Sequence, residues 1–522
     1  MEGIYSLIGS LTKGEWQSLQ SYLRCFSSHS PSELKQLQLA ELLRNAEECP
    51  EATFCCVKIY GIKSDISFEV LKARLKEKTL DFLLTDISTD KRDELDEADY
   101  AIIKMKKRSA QFQQLFYSKK RIPFIYGLLD EIIFLAKEYE QYSILLDHLR
   151  LEKMLISWRA GDKSFEKINE KINIVWQVIA IYYKAEHYYG KLMMLNDFSG
   201  KFDKHKTLLD LKEKIAEVRD GYELTNSPMV HYYLKNLEMG YYQIAEDHLQ
   251  ARSVCLELLN IVRNNKSVYR RQRLGVAYDN LSRCEFYLGN LEEAARCARE
   301  GQVHFNEASE NYCIAIEQEF YAQFALEQYS QSTALVNKMM ASATRKELGE
   351  FRFSKYNYLL ANTLFMQRKF DGVKAILSEE REISSDKAGW ETGARILSIM
   401  TLIEMQKLDE ASLAIFGLKQ FFKRVDKKTM VSKRDKTILN LLLILERAGF
   451  AFGLLNGSAQ KHLVTLASHD EKTRWEPFTP ELVPFHKWFA EKMNKTFSES
   501  VKETPEGSKS IPFTPPSLSQ SK

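Results

Sequence analysis

Proline is nearly absent from the middle of this 522-residue chain: between Phe124 and Glu476 only Pro228 occurs. A proline inside a helix costs about 3 kcal/mol, whereas the loops of all-β and α/β proteins carry it freely, so the gap excludes a loop-rich fold. Alternating Val/Ile/Thr runs are missing from the same span, which removes the strand reading as well. Long apolar runs are missing too. Leu128 to Ala136 and Ile438 to Leu445 fall far short of the roughly 20 residues a membrane span needs. The opening MEGIYSLIGSLTKGEW has no basic leader, and Lys13, Glu15 and Gln17 interrupt it before any signal-like apolar core. A cytoplasmic location is expected. Neither charge is in excess: 74 Lys and Arg against 71 Asp and Glu leave a net charge of +3, so overall charge implies neither nucleic acid nor anionic membrane.

Cysteine chemistry is also lacking. The eight cysteines include no CxxC pair and no metal-finger spacing. The only close pair, Cys55-Cys56, is adjacent, and neighbours rarely form an unstrained disulfide. Free, mostly buried thiols are expected, with no metal and no cofactor. Catalytic signatures fail one by one. In GSLTKGEW, Gly9 and Gly14 have phosphate-loop spacing, but Glu15 and Trp16 stand where Lys and Ser/Thr must be. Thr12-Lys13-Gly14-Glu15 reads instead as a capping box opening a helix. No GxSxG, HExxH or GxGxxG follows a strand. Asp147-His148 and Glu186-His187 set a carboxylate beside a histidine, but adjacent helical residues diverge by about 100°. The chain is not expected to be an enzyme.

What the sequence does hold is apolar residues at three- and four-residue spacing, as in Tyr356, Leu359, Leu360, Thr363 and Leu364. Aligned on turns, one column holds Tyr242, Leu291, Tyr329, Phe370 and Leu408. Three residues on stands a small or short column of Ala245, Ala294, Ser332, Val373 and Ala411, spaced by 49, 38, 41 and 38 residues. Four further on, on the same helical face, are Leu249, Ala298, Val336, Leu377 and Ile415. Stacked hairpins need a small residue where one helix approaches the next, so a repeated helical hairpin of about 40 residues explains the columns.

GVAYDNLSRCEFYLGNLEEAARCA is similar to the tetratricopeptide repeat through Tyr278, Leu281, Ser282, Gly289, Leu291 and Ala294. YNYLLANTLFMQRKFDGVKAIL resembles it through Leu360, Ala361, Leu364, Phe370 and Val373. The resemblance covers about residues 229–424 and implies an all-α fold: a right-handed α-solenoid of tetratricopeptide-like helical hairpins. It also implies a concave groove lined by the first helix of each repeat. Carried onto the two well-matched copies, the peptide-facing positions are Asp279, Asn280 and Arg283, then Lys355, Tyr358 and Asn362. Asn280 and Asn362 suit a peptide backbone, and Arg283 with Lys355 suits a carboxylate.

Around this body the expected organisation is a helical head at 1–121, degenerate hairpins at 122–228, repeats at 229–424, capping helices at 425–497 and a disordered tail at 498–522. Head helices are expected at Ser32 to Glu48, Ser67 to Thr85 and Lys91 to Ser118. Trp176, Ala180, Tyr183 and His187 share one stripe, which reads as core. Three basic clusters, Lys104 to Arg121, Asn264 to Arg273 and Lys423 to Lys436, carry an alternative reading as a nucleic-acid-associated regulator. An acidic run, Asp90 to Asp99, precedes the first cluster and favours solvated helices with segregated charge; the third reads as an exposed loop. A second alternative is an enzyme whose site is assembled from distant helices. The leading expectation is a non-catalytic scaffold that binds another protein or peptide through the groove, without nucleic acid or membrane.

Overall fold

The computed structural model describes residues 1–25, 31–63, 66–85, 95–118, 124–157, 161–197, 203–341, 345–379, 389–425, 431–455, 457–468, 470 and 472–502. Among them are 23 α-helices and a 3₁₀ turn at Phe452–Leu454, with no strand. None of these helices is long and apolar enough to cross a membrane. The fold is all-α, with helices packed pairwise in chain order. It divides into two compact units, one of residues 1–245 and 257–271, the other of 246–256 and 272 onward.

In the first unit, helices Glu2–Gly9, Lys13–Cys25, Pro31–Arg44, Ala52–Tyr60 and Ile66–Thr85 enclose Ile8, Leu19, Leu39, Leu75 and Phe82. The capping box is present: Thr12 N–H donates to Glu15 Oε2 at 2.7 Å, and Glu15 N–H to Thr12 Oγ1 at 3.2 Å. Helix Ala52–Tyr60, closed by Gly61 in the left-handed region, has no counterpart in the sequence reading. Helix Glu97–Tyr117, expected in the head, instead buries Ala98, Met105 and Phe112 in one core with Ile132 and Leu149 of helices Phe124–Glu138 and Tyr142–Ser157. The head's own core therefore ends at Phe82.

The stripe on the long helix Gly161–Asp197 is a correction. Trp176 and Tyr183 are about half exposed and Ala180 and His187 are also exposed. The buried stripe is Ile168, Ile172, Val175 and Ile179, whose spacing of three and four is as regular as that of the aromatics. Periodicity alone does not say which of two apolar stripes faces inward.

The hairpins of the second unit are Arg271–Tyr287 with Leu291–Gln302, Glu310–Ala325 with Tyr329–Ala341, Arg345–Met366 with Phe370–Glu379, and Trp390–Glu404 with Leu408–Val425. Each turn places one residue at positive φ two positions before the second helix: Gly289 (+81°), Glu327 (+62°), Arg368 (+61°) and Gln406 (+59°). The residue after it donates back five positions, as in Asn290 N–H to Glu285 O and Lys369 N–H to Leu364 O, both at 2.9 Å. This is the Schellman closure, in which a left-handed residue satisfies the last carbonyls of the first helix.

Glu246 (+62°) has the same place before helix His248–Asn264, and this shifts the first copy of the alignment. Ala245 ends helix Pro228–Ala245 rather than lying in the following one, and Leu249 is 64% exposed. The residue three positions into the second helix is Ala251, fully buried, followed four on by the equally buried Cys255. The corrected column reads Ala251, Ala294, Ser332, Val373 and Ala411, each with no exposed surface. Its first interval falls to 43 residues. Helix Lys433–Arg447, the 3₁₀ turn and helices Gly457–Ala467 and Phe485–Lys502 complete the unit. The last helix runs past Ser498, and the rest of the expected tail lies outside the described residues.

Candidate functional site

The six residues drawn from the repeat resemblance all lie on first helices, but the structure gives them different tasks. Asn280 is half-buried and Arg283 exposed. Lys355 is not free: its Nζ pairs with Glu317 and lies 5.2 Å from the Trp390 ring centre. Asn362 is 1% exposed and donates through Nδ2 to Tyr358 O of its own helix at 2.8 Å. The expectation that Asn362 meets a peptide backbone on an open face is therefore corrected. A short amide one turn above a helical carbonyl is satisfied locally.

Asp279 sits at a helix crossing. A Cβ on Gly301 would lie 2.8 Å from its Oδ1 and 3.3 Å from Gly275 O, so glycine is required where the two helices approach. Asp279 Oδ1 is closed off from solvent with no hydrogen-bond partner. Burial pushes the carboxyl up to about 8, against a smaller opposing pull from the Arg283 charge. Because the folded pKa exceeds the unfolded one, stability is fully present below about pH 4 and falls as pH rises to about 8. Asp279→Asn cannot ionise, so it should flatten that slope and gain about 1–3 kcal/mol on the parent between pH 5 and pH 8. Urea unfolding at pH 5 and pH 8 measures it. An unchanged slope would show that the carboxyl stays ionised and solvated.

Tyr358 shows what the face does. It is 2% exposed, and its hydroxyl donates to Pro480 O at 2.5 Å. Pro480 belongs to a loop of Trp475 to Glu481, closed by Trp475 Nε1–H donating to Glu481 O at 2.8 Å. Within it, Thr479 Oγ1–H donates to Glu476 O at 2.8 Å. At the tip, Phe478 adopts φ +61°, a conformation that costs a non-glycine residue roughly 1–2 kcal/mol. Its ring fills an aromatic cage: ring centres lie 4.7 Å away at Phe286, 5.6 Å at Tyr287 and 4.6 Å at Tyr321. The Arg283 guanidinium stands 5.7 Å from the same ring centre. Tilted and edge-on ring pairs each contribute about 0.5–1.5 kcal/mol, enough together to hold the strained tip. On the fourth first helix, a Cβ at Gly393 would come within 2.8 Å of Pro480 O. The loop thus rests on first helices of all four hairpins.

Anchors flank the loop. Arg474 Nη2 pairs with Glu246 at 2.8 Å. Glu481 is gripped by buried Arg434 through Nε at 2.5 Å and Nη2 at 2.7 Å. Arg434 Nη1 also donates to Leu466 O at 2.9 Å and Thr473 O at 2.5 Å, and Nη2 reaches His486 Nδ1 at 3.2 Å. Burial, then the charges of Arg434 and Lys487, push the His486 imidazole down to about 4, so it stays neutral and accepts that proton. Asp435, next to Arg434 in the chain, is pushed up to about 6 by burial despite a hydrogen bond from Ser432 Oγ at 2.6 Å. The third basic cluster is therefore not simply an exposed loop, since Arg434 is interior. Its residues 426–430 lie outside the described ones. Behind the loop a cavity of about 250 Å³ remains, lined among others by Asn362, Met400, Asp435 and Leu482.

The other chemistry singled out in the sequence is absorbed by structure. His148 is buried, with Nδ1 2.7 Å from Ile144 O and Nε2 3.0 Å from Ser109 Oγ, a satisfied core histidine. Lys266 pairs with Glu138 at 3.1 Å, Arg270 with Asp99 at 2.7 Å and Arg271 with Asp96 at 3.4 Å. Lys104 pairs with Glu131 at 2.9 Å; Lys119, Lys120 and Arg121 lie outside the described residues. Cys25 and Cys49 are exposed and the other six cysteines buried, all free. Among the described residues no group of three or more His, Cys, Asp or Glu converges as a metal set would.

The sequence reading missed Phe478, Pro480, Glu481 and Arg434. Their signal was the return of proline at Pro477, Pro480 and Pro484, which breaks the helical array just where its own face is covered.

No family model matches the sequence, and no curated protein does. Among solved structures, the chain is similar to the apo quorum sensor NprR of B. thuringiensis, at 14% identity and TM-score 0.44, over 70% of this chain and 92% of that one. BtubC of P. vanneervenii matches at 13% identity and TM-score 0.37, over 43% and 93%. A signal transduction ATPase with a tetratricopeptide repeat sensor, from Pyrococcus horikoshii, matches at 12% and 0.37, over 79% and 71%.

Proposed function

We propose that this chain is a non-catalytic scaffold that binds a proline-containing segment of another protein on the face formed by its first helices. One observation carries the reading: that face already holds a foreign-shaped guest, the Trp475–Glu481 loop. The guest is neither helix nor strand and is held by a ring in an aromatic cage and by a carbonyl on Tyr358. Aromatic side chains and a buried hydroxyl are the usual means of holding a short apolar peptide with defined register. The alternative reading as a nucleic-acid regulator loses support from the pairing of Lys104, Lys266, Arg270 and Arg271 with carboxylates.

The test uses the full chain carrying Phe478→Ala, which empties the cage, and a fluorescein-labelled peptide of residues 474–484. Anisotropy should show saturable binding, weakened about five-fold or more by adding Arg283→Ala and Tyr287→Ala, which remove one cation–π and one ring contact. Both are exposed on the rim, so the melting curve should hardly move. A folded variant that does not bind the peptide would remove the face from consideration.

A further inference from the structure

The tetrapeptide that occupies the first-helix face occurs twice in this chain. Pro477-Phe478-Thr479-Pro480 is repeated as Pro512-Phe513-Thr514-Pro515. The two copies use four of only 11 prolines in 522 residues, in a chain whose helical middle all but excludes that residue.

The contacts of the first copy separate into two kinds. Those made by the tetrapeptide itself are the Phe478 ring among Phe286, Tyr287, Tyr321 and Arg283, and the Pro480 carbonyl on the Tyr358 hydroxyl. Every group in them is present again in residues 512–515. Those made by the flanks are Arg474 with Glu246, Trp475 with the Glu481 carbonyl, and Glu481 with Arg434. Ile511 and Pro516 stand where Glu476 and Glu481 would be, so the second copy has the recognised core without the tether. Ser510 stands where Trp475 would be, so the indole that closes the first loop has no counterpart beside the second copy. Length permits its return: helix Phe485–Lys502 has 18 residues, roughly 27 Å. The ten residues that follow reach at most about 33–36 Å.

We propose that the first-helix face is a receptor for the sequence Pro-Phe-Thr-Pro, and that residues 512–515 of this chain are its second occupant, exchanging with residues 477–480. This rests on the face being a peptide site, as above, and specifies its ligand: an aromatic ring followed two positions later by a proline carbonyl. A partner carrying the same short sequence then meets a site already guarded by two internal competitors.

Two measurements test it. In the first, the labelled 474–484 peptide on the Phe478→Ala chain is competed with an unlabelled peptide of residues 508–519. Displacement is expected, and the same peptide with Phe513→Ala should need at least ten-fold more. If 474–484 binds but 508–519 does not displace it, the exchange falls and the peptide site stands; if neither binds, both fall. In the second, the full chain carries p-benzoylphenylalanine in place of Phe513 and is irradiated, with and without Phe478→Leu. Cross-links should map to helices Arg271–Tyr287 and Glu310–Ala325 and increase at least three-fold with Phe478→Leu, which keeps an apolar tip but loses the ring. Cross-links elsewhere, or indifferent to Phe478→Leu, overturn the proposal. Should Phe478→Leu fail to fold, suppression of the parent chain's cross-links by excess 508–519 peptide decides the matter, since persistence would equally overturn it.

Discussion

Arg434→Met is expected to lower the unfolding free energy by about 3–5 kcal/mol, the cost of leaving one member of a buried pair without its partner. Arg434 is 8% exposed, and its guanidinium serves four groups at once: the Glu481 carboxylate, the carbonyls of Leu466 and Thr473, and the His486 ring. Methionine fills the volume of the stem but leaves a carboxylate and two carbonyls facing an apolar side chain. The loss should be local as well as global, because Glu481 also closes the Phe478 loop through its carbonyl. Amide exchange of residues 475–483 should accelerate more than that of helix Trp390–Glu404. The double change Arg434→Met with Glu481→Leu should recover much of the stability, since removing both charges avoids the unpaired one. Urea unfolding of the single and double variants measures this. A single variant within 1 kcal/mol of the parent would mean that water solvates Glu481 and the loop is not anchored there.

The residues that were legible in the sequence and those that were not differ in a physical way. Hairpins two to five of the alignment could be placed because Leu291, Tyr329, Phe370 and Leu408 each open a second helix and a small residue must follow under the crossing. Only one turn carried glycine. Glu327, Arg368 and Gln406 take the same left-handed conformation, and a polar side chain there leaves no compositional trace, since the Schellman bonds hold the strained residue. The first copy is displaced for the same reason: nothing in the composition around Glu246 marks a turn, so the alignment assigns Ala245 the place that belongs to Ala251. On the face itself, position along the helix was legible and exposure was not. Tyr358 was chosen as a peptide contact and does meet a non-helical carbonyl, but Asn362 and Lys355 find partners within the fold. Phe478 lies outside the array, and periodicity says nothing about a residue that binds across it.

The repeat register makes the last prediction. Ala294→Leu and Ala411→Leu should each cost about 1–3 kcal/mol, whereas Ala245→Leu should stay within about 0.5 kcal/mol. Ala294 and Ala411 have no exposed surface, and Ser282 Oγ–H donates to Ala294 O at 2.7 Å, which places the backbone of one helix directly under the other. Three added heavy atoms there must push the helices apart or leave their rotamer wells. Ala245 ends its helix half-buried, where a larger side chain can turn toward solvent. Ala251→Leu completes the set and belongs with the costly pair, because Ala251 is as buried as Ala294. Thermal and urea unfolding of the four single variants separates the two registers without any knowledge of the partner. If Ala245→Leu proved as damaging as Ala294→Leu while Ala251→Leu was tolerated, helix His248–Asn264 would have to start earlier, with the turn at Glu246 lost. If all four were tolerated, the shared small column would not be a packing requirement, and the repeat itself would be an accident of composition.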